Sequence, residues 1–194
     1  MAQRPINADD LLRLVFVGDP QMSPDGHHVL FSRKTITEKN AYQNHLYSVD
    51  RSYFVKRWTS GEKSCAHGRW SPDGNQIAFL SGRDEPASQI FLMSTHGGEA
   101  VAVSKLPEGS IGGFEWSPDG KKIAFTFRET AEHLTKAANE ARKAKGGSEP
   151  PIEIDSVWYR LDGDGYFANQ RYKVYVLDVA TAKHIMIFEC VFLI

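Results

Sequence analysis

A chain of 194 residues, 41% hydrophobic and 24% charged, has the length and apolar content for one ordinary domain with its own core, which argues against disorder over most of its length. With 23 basic against 24 acidic side chains, a formal net charge of −1 and no basic block, it offers no electrostatic surface for nucleic acid. Its two cysteines, Cys65 and Cys190, lie too far apart to form the dense framework of a small secreted domain and are read as reduced thiols.

The opening "MAQRPINADD" lacks the charged-then-apolar order of an export signal, so a cytoplasmic location is expected. Residues 1–14 form the N-terminal helical segment. In "NADDLLRL", Asn7 caps one or two helical turns, Asp9 and Asp10 occupy the first turn, and Leu11, Leu12 and Leu14 are expected to be buried against the remainder of the chain or another domain.

The tetrapeptide Ser-Pro-Asp-Gly then occurs three times, in "QMSPDGHHVLF", "RWSPDGNQIAF" and "EWSPDGKKIAF". Proline fixes φ at the first turn position, aspartate accepts hydrogen bonds from nearby amides, and glycine takes the left-handed conformation that closes a tight connection between antiparallel strands. Gly26, Gly74 and Gly120 are 48 and 46 residues apart. That spacing matches propeller blades of roughly 40 to 50 residues.

Each period holds the same short strands. In the second, "HGRWS", "QIAFLS", "QIFLMS" and "EAVAVS" make four, and the third strand recurs as "HLYSVD", "QIFLMS" and "KVYVLD" with an aromatic at Tyr47, Phe91 and Tyr175. Four strands per period make one blade, and consecutive apolar residues such as Ile77 to Leu80 call for burial on both sheet faces, which stacked blades provide. A β-sandwich is the alternative, but it has no reason to repeat at a constant period. The expected fold is all-β: a partial, open β-propeller of about three four-stranded blades, at residues 15–60, 61–106 and 107–194.

From turn glycine to third-strand aromatic the counts are 21, 17 and 55 residues, so the third blade carries an insertion, placed at about residues 129–156. Within it, "ETAEHLTKAANEARKAKGG" predicts a helix with Ala131, Leu134, Ala138 and Ala141 along one side and Gly146-Gly147 as its stop, followed by extended chain. The closing "HIMIFECVFLI" is shorter than the ~20 residues that cross a bilayer. Its strand propensity and low charge make it an aggregation hazard if left unpaired.

Candidate chemistry is sparse. No Gly-x-Ser-x-Gly nucleophile elbow occurs anywhere in the chain. His96-Gly97-Gly98 has the form of an oxyanion-hole stretch but falls between two strands, where a hairpin turn is expected. Ser60 and Lys63 have the spacing of a serine–lysine pair but lie in the connection between blades. Asp162 and Asp164 in "LDGDG" are a fragment of a calcium loop without the remaining ligands, and adjacent His27 and His28 point to opposite faces of a strand. No catalytic, cofactor-binding or metal-binding residue is assigned, and no cofactor is expected.

"NADDLLRLVFVGDPQMSPDGHHVLF", the two "WSPDG" turns, the helical insertion and "YRLDGDGYFANQRYKVYVLDVAT" together resemble the N-terminal propeller of prolyl oligopeptidase family serine peptidases, most similar to acylaminoacyl peptidases, over about residues 7 to 183. The resemblance implies a propeller that restricts access of short peptides to an α/β-hydrolase domain carrying a Ser-Asp-His triad. None of that domain's motifs matches a position here. The chain is therefore expected to be shortened and inactive alone, with the hydrolase domain, or a second copy bound through open blade faces, as partner. A TolB-like protein-binding propeller is the alternative, and a non-functional gene remnant is a third. Three blades fall short of the roughly four needed for closure, leaving two faces of roughly 320 Å² each uncovered.

Overall fold

The computed structural model describes residues 4–83, 87–154, 159–162, 165–166 and 170–189. Its strands form three four-stranded antiparallel sheets and one two-stranded pair; in the first two sheets chain neighbours are sheet neighbours, and in the third the insertion separates the two middle strands. The first sheet is β1 (Val15–Met22), β2 (His28–Ile36), β3 (Tyr42–Asp50) and β4 (Val55–Arg57). The second is β5 (Cys65–Trp70), β6 (Gln76–Ser81), β7 (Gln89–Ser94) and β8 (Val101–Ala102). The third opens with β9 (Gly109–Trp116) and β10 (Lys122–Glu129). After the insertion, with its helix α1 (Lys136–Ala144) and the short pair β11 (Arg160–Leu161) and β12 (Gly165–Tyr166), it is completed by β13 (Lys173–Asp178) and β14 (Lys183–Glu189).

The three turns are built alike. Gly26, Gly74 and Gly120 take φ of 69°, 72° and 69°, the left-handed region that favours glycine. Serine, to which the sequence argument gives no separate role, closes the ladder. The backbone N–H groups of Ser23, Ser71 and Ser117 donate to the carbonyls of His28, Gln76 and Lys122, each at 2.8 Å. Their hydroxyls accept the N–H groups of those same residues, each at 2.9 Å. The Ser23 and Ser71 hydroxyls in turn donate to Asp25 and Asp73 at 2.5 and 2.6 Å. The serine thereby satisfies both the N–H and the carbonyl of the residue that opens the next strand, without lengthening the turn.

The first two sheets belong to one compact unit and the third to another. In the first unit, Leu30 and Leu46 of the first sheet pack on Cys65, Ile77, Phe79, Phe91 and Met93 of the second, with Trp58 and Trp70 at the margin. Each large apolar side chain enclosed in this way contributes about 1.5–3 kcal/mol. Gly68 makes the approach possible, because a Cβ there would lie 2.8 Å from Leu30 Cδ2. In the second unit, Phe114, Ile123, Phe125, Phe127 and Leu177 are buried.

One aromatic pair repeats across all three sheets. Phe31 stacks on Tyr47 (6.0 Å, 22°), Phe79 on Phe91 (5.7 Å, 20°) and Phe125 on Tyr175 (5.3 Å, 19°). These are the third-strand aromatics of the sequence pattern, each opposite the second-strand phenylalanine that follows its turn.

Two local expectations change. The N-terminal segment is a 3-10 helix, Ala8–Arg13, entered through Asn7, whose N–H donates to Asp10 at 3.0 Å. Leu11, Leu12 and Leu14 are exposed, so the described residues of this chain do not cover them, and of the two covers expected only another domain is left open. In the insertion, Glu132–Leu134 forms a 3-10 turn, and the α-helix begins only after Thr135, whose hydroxyl accepts Ala138 N–H at 3.3 Å. Both carboxylate oxygens of Glu108 accept Lys136 N–H at 3.0 Å, anchoring the helix to the start of β9. Gly146, at φ 71°, ends it as the sequence implied, and no residue of α1 is buried.

Candidate functional site

Two clefts lie between the first two sheets, one at each end. At the turn end, a cavity of about 430 Å³ is lined by Asp25, His28, Lys56, Trp58, Trp70 and Asp73, among others. Trp58 donates its indole N–H to Ser48 Oγ at 2.9 Å and meets Trp70 edge-on at 6.0 Å and 89°. Lys56 Nζ lies 3.7 Å from the centre of the Trp58 ring, a cation–π contact inside the cleft. The indole nitrogen of Trp70 is buried with no hydrogen-bond partner among the described residues.

The two carboxylates of this cleft are held ionised by their own turns. Hydrogen bonds from Ser71, and then from Asn75, keep Asp73 below the usual carboxylate range. Asp25 is lowered in the same way by Ser23 and the His27 N–H. A carboxylate committed to its turn is a poor general acid or base, so Asp25 and Asp73 serve the turns and not proton transfer.

At the opposite end, a cavity of about 510 Å³ is lined by Phe16, Asp19, Lys34, Asn44 and His67, with others. Asp19 and His67 occupy bulges of β1 and β5 and take left-handed φ of 52° and 55°. Arg69 joins them: its Nη1 lies 2.9 and 3.0 Å from the two Asp19 oxygens and its Nη2 lies 3.3 Å from His67 Nδ1. Lys34 Nζ sits between the rings of Phe16 and Tyr42, at 5.4 and 4.8 Å.

The sequence candidates for catalysis are not gathered into either cleft as a reacting set. Ser60 and Lys63 are exposed in the connection between the sheets. His96, Gly97 and Gly98 form the turn between β7 and β8, with His96 Nε2 3.3 Å from Asn75 Oδ1, as the hairpin reading expected. His27 is in the first turn while His28 begins β2 and faces Trp70 at 6.4 Å. Asp162 is exposed between β11 and β12. Asp164, Cys190 and residues 191–194 lie outside the described residues. Cys65 is a free, fully buried thiol 3.6 Å from Ser81 Oγ. His45 and Thr59 make a hydroxyl–imidazole contact of 3.4 Å, but both are buried, and burial pushes the His45 pKa down. Among the described residues no cluster of His, Cys, Asp or Glu could hold a metal ion, and no helix is long and apolar enough to cross a membrane.

Sequence reasoning missed the Asp19–Arg69–His67 group. Its only local signal is that Asp19 and His67 each stand four residues before a turn serine.

No family model matches the sequence. The protein described as uncharacterized peptidase YuxL of Bacillus subtilis (strain 168) is 35% identical over 162 residues, which cover 82% of this chain and 24% of that protein. The structure of Pyrococcus horikoshii acylaminoacyl peptidase superposes over 92% of this chain and 26% of that one, with a TM-score of 0.70 and 18% identity. By fold, this chain is similar to the β-propeller region of that peptidase. TolB from Acinetobacter baumannii gives a TM-score of 0.54 at 21% identity, over 87% of this chain and 31% of that one. The three sheets are thus propeller blades, and the propeller region spans about a quarter of the length of the curated relative and of the peptidase structure.

Proposed function

We propose that this propeller region docks on an α/β-hydrolase domain of an acylaminoacyl-peptidase-like serine peptidase and gates the entry of short peptides to it. The observation that carries the reading is the 35% identity to a peptidase over 82% of the chain, and the structural likeness supports it by being higher for an acylaminoacyl peptidase than for TolB, 0.70 against 0.54. The chemistry belongs to the hydrolase domain, since the 194 residues contain no nucleophile elbow. In this reading exposed Leu11 and Leu12 of the entry helix, with Leu14 just past its end, are apolar side chains that meet that domain. The cytoplasm fits this role, because a free thiol such as Cys65 stays reduced there.

Titration calorimetry of the chain against a separately expressed hydrolase domain of this type tests the proposal. A saturable complex supports it, and absence of binding at high micromolar concentration rejects it. The TolB likeness favours a second reading, a stand-alone protein-binding propeller, which predicts no complex with the hydrolase domain.

A further inference from the structure

The cleft at the turn end of the first unit carries charge that its own residues leave unmatched. Its walls are drawn wholly from residues between 23 and 96, all within the first unit, so no other part of the chain is needed to form it. Asp25 and Asp73 are exposed there and ionised at neutral pH, because their turn hydrogen bonds favour the charged form. Asp25 commits one oxygen to its turn: Oδ1 accepts the Ser23 hydroxyl at 2.5 Å and the His27 N–H at 2.9 Å. Its Oδ2 accepts no hydrogen bond among the described residues. Asp73 uses both oxygens, Oδ1 for the Ser71 hydroxyl and the Asn75 N–H, Oδ2 for the Asn75 side-chain amide at 2.9 Å.

Among the described lining residues Lys56 is the one permanent cation. Its ammonium rests on the Trp58 ring, 3.7 Å from the centre, and forms no ion pair or hydrogen bond among the described residues. The indole face therefore accepts a cation, and the cation now on it is exposed, strongly hydrated and carried on a flexible stem that can swing into water. A guanidinium suits the same place better. It is flat, more weakly hydrated than an ammonium, stacks on an indole face and forks onto a carboxylate. The rings of Phe54 and Trp70 offer apolar wall for an arginine stem. Two lining carboxylates against one lysine leave the cleft net negative, which attracts such a cation.

We propose that the turn-end cleft binds an arginine side chain of a peptide, its guanidinium displacing Lys56 from the Trp58 ring and pairing with the free carboxylate oxygen of Asp25. The cleft volume of about 430 Å³ lies within the roughly 300–1,000 Å³ of small-ligand sites. The contact holds and positions the peptide, and no bond is made or broken. It stands apart from the docking proposal, because two sheets of this chain form the whole site.

Titration of the intact chain with N-acetyl-arginine amide, followed through the indole N–H resonances of Trp58 and Trp70, tests it. A saturable shift with a Kd on the order of 1 mM is expected for one charged contact beside water. N-acetyl-citrulline amide, which keeps the shape and drops the charge, binds at least about tenfold more weakly. Lys56→Met removes the competing cation from an exposed position, leaves the fold intact and tightens arginine binding about threefold. Asp25→Asn weakens it about fivefold. Where Asp25→Asn fails to fold by circular dichroism, the citrulline comparison and Lys56→Met decide by themselves. No shift at about 20 mM arginine ligand, equal affinity for the citrulline ligand, binding not tightened by Lys56→Met, or unchanged affinity in folded Asp25→Asn overturns the proposal. These outcomes are read without a hydrolase domain, so they stand apart from the docking test.

Discussion

The guanidinium of Arg69 grips both carboxylate oxygens of Asp19, at 2.9 and 3.0 Å, and so ties the bulge of β5 to the bulge of β1 across the first unit. The Arg69 side chain is 10% exposed and that of Asp19 31%, and Arg69 Nη1 also donates to the Gly68 carbonyl at 2.9 Å. Arg69→Ala therefore strands a half-buried carboxylate and a carbonyl, and costs about 2–4 kcal/mol. Asp19→Asn keeps one acceptor and costs about half as much. Urea unfolding midpoints check both.

The turn serines carry more than spacing. Ser71→Ala removes the acceptor of Gln76 N–H and the donor to Asp73, and lowers stability by about 1–2 kcal/mol in the same assay. Gly74→Ala costs about 1 kcal/mol or more from its φ of 72°, not from crowding, since the nearest atom to an added Cβ is Pro24 Cδ at 3.8 Å.

Acid should loosen these turns. Asp25 and Asp73 have folded-state pKa values lowered by their turn hydrogen bonds, so their contribution is fully present above the unfolded value of about 4 and is lost as pH falls below it. Unfolding midpoints measured from about pH 6 down to pH 3 should fall most steeply below about pH 4. Asp73→Asn, which does not titrate, should flatten part of that slope.

Much of the fold is written in short-range chemistry. Proline and glycine at fixed turn positions dictate the hairpins, and the aromatics at 47, 91 and 175 mark the third strands, so the three sheets follow from local rules. Arg69 with Asp19 does not, because the two are 50 residues apart and meet only through bulges that interrupt both strands. The entry-helix leucines show the complementary limit: a run of apolar residues reveals a surface that requires a cover, but not which body supplies it. The insertion helix is legible at its glycine stop and misjudged at its start, where Thr135 caps instead of continuing the turn.

Cys65 is enclosed in the core between the first two sheets, with Arg83 Nη2 3.3 Å from its sulfur. In a Cys190→Ser background a thiol reagent should label Cys65 only as fast as the first unit opens, and in step with denaturant. Labelling that is immediate and independent of denaturant would place the thiol at the surface.

Leu11→Ser and Leu12→Ser together should leave stability within about 0.5 kcal/mol per site, since both side chains are exposed, yet weaken binding to the hydrolase domain by tenfold or more. Calorimetry with the double variant reads the second effect and urea unfolding the first.

Release of chromophore from an N-acetyl-alanine anilide, followed first with the purified chain alone and then with the hydrolase domain added, addresses the division of labour directly. The account predicts no turnover by the chain alone, and with both parts present a preference for short acylated peptides that the hydrolase domain lacks by itself. Turnover by the chain alone, or an unchanged length preference once the two are mixed, would contradict it.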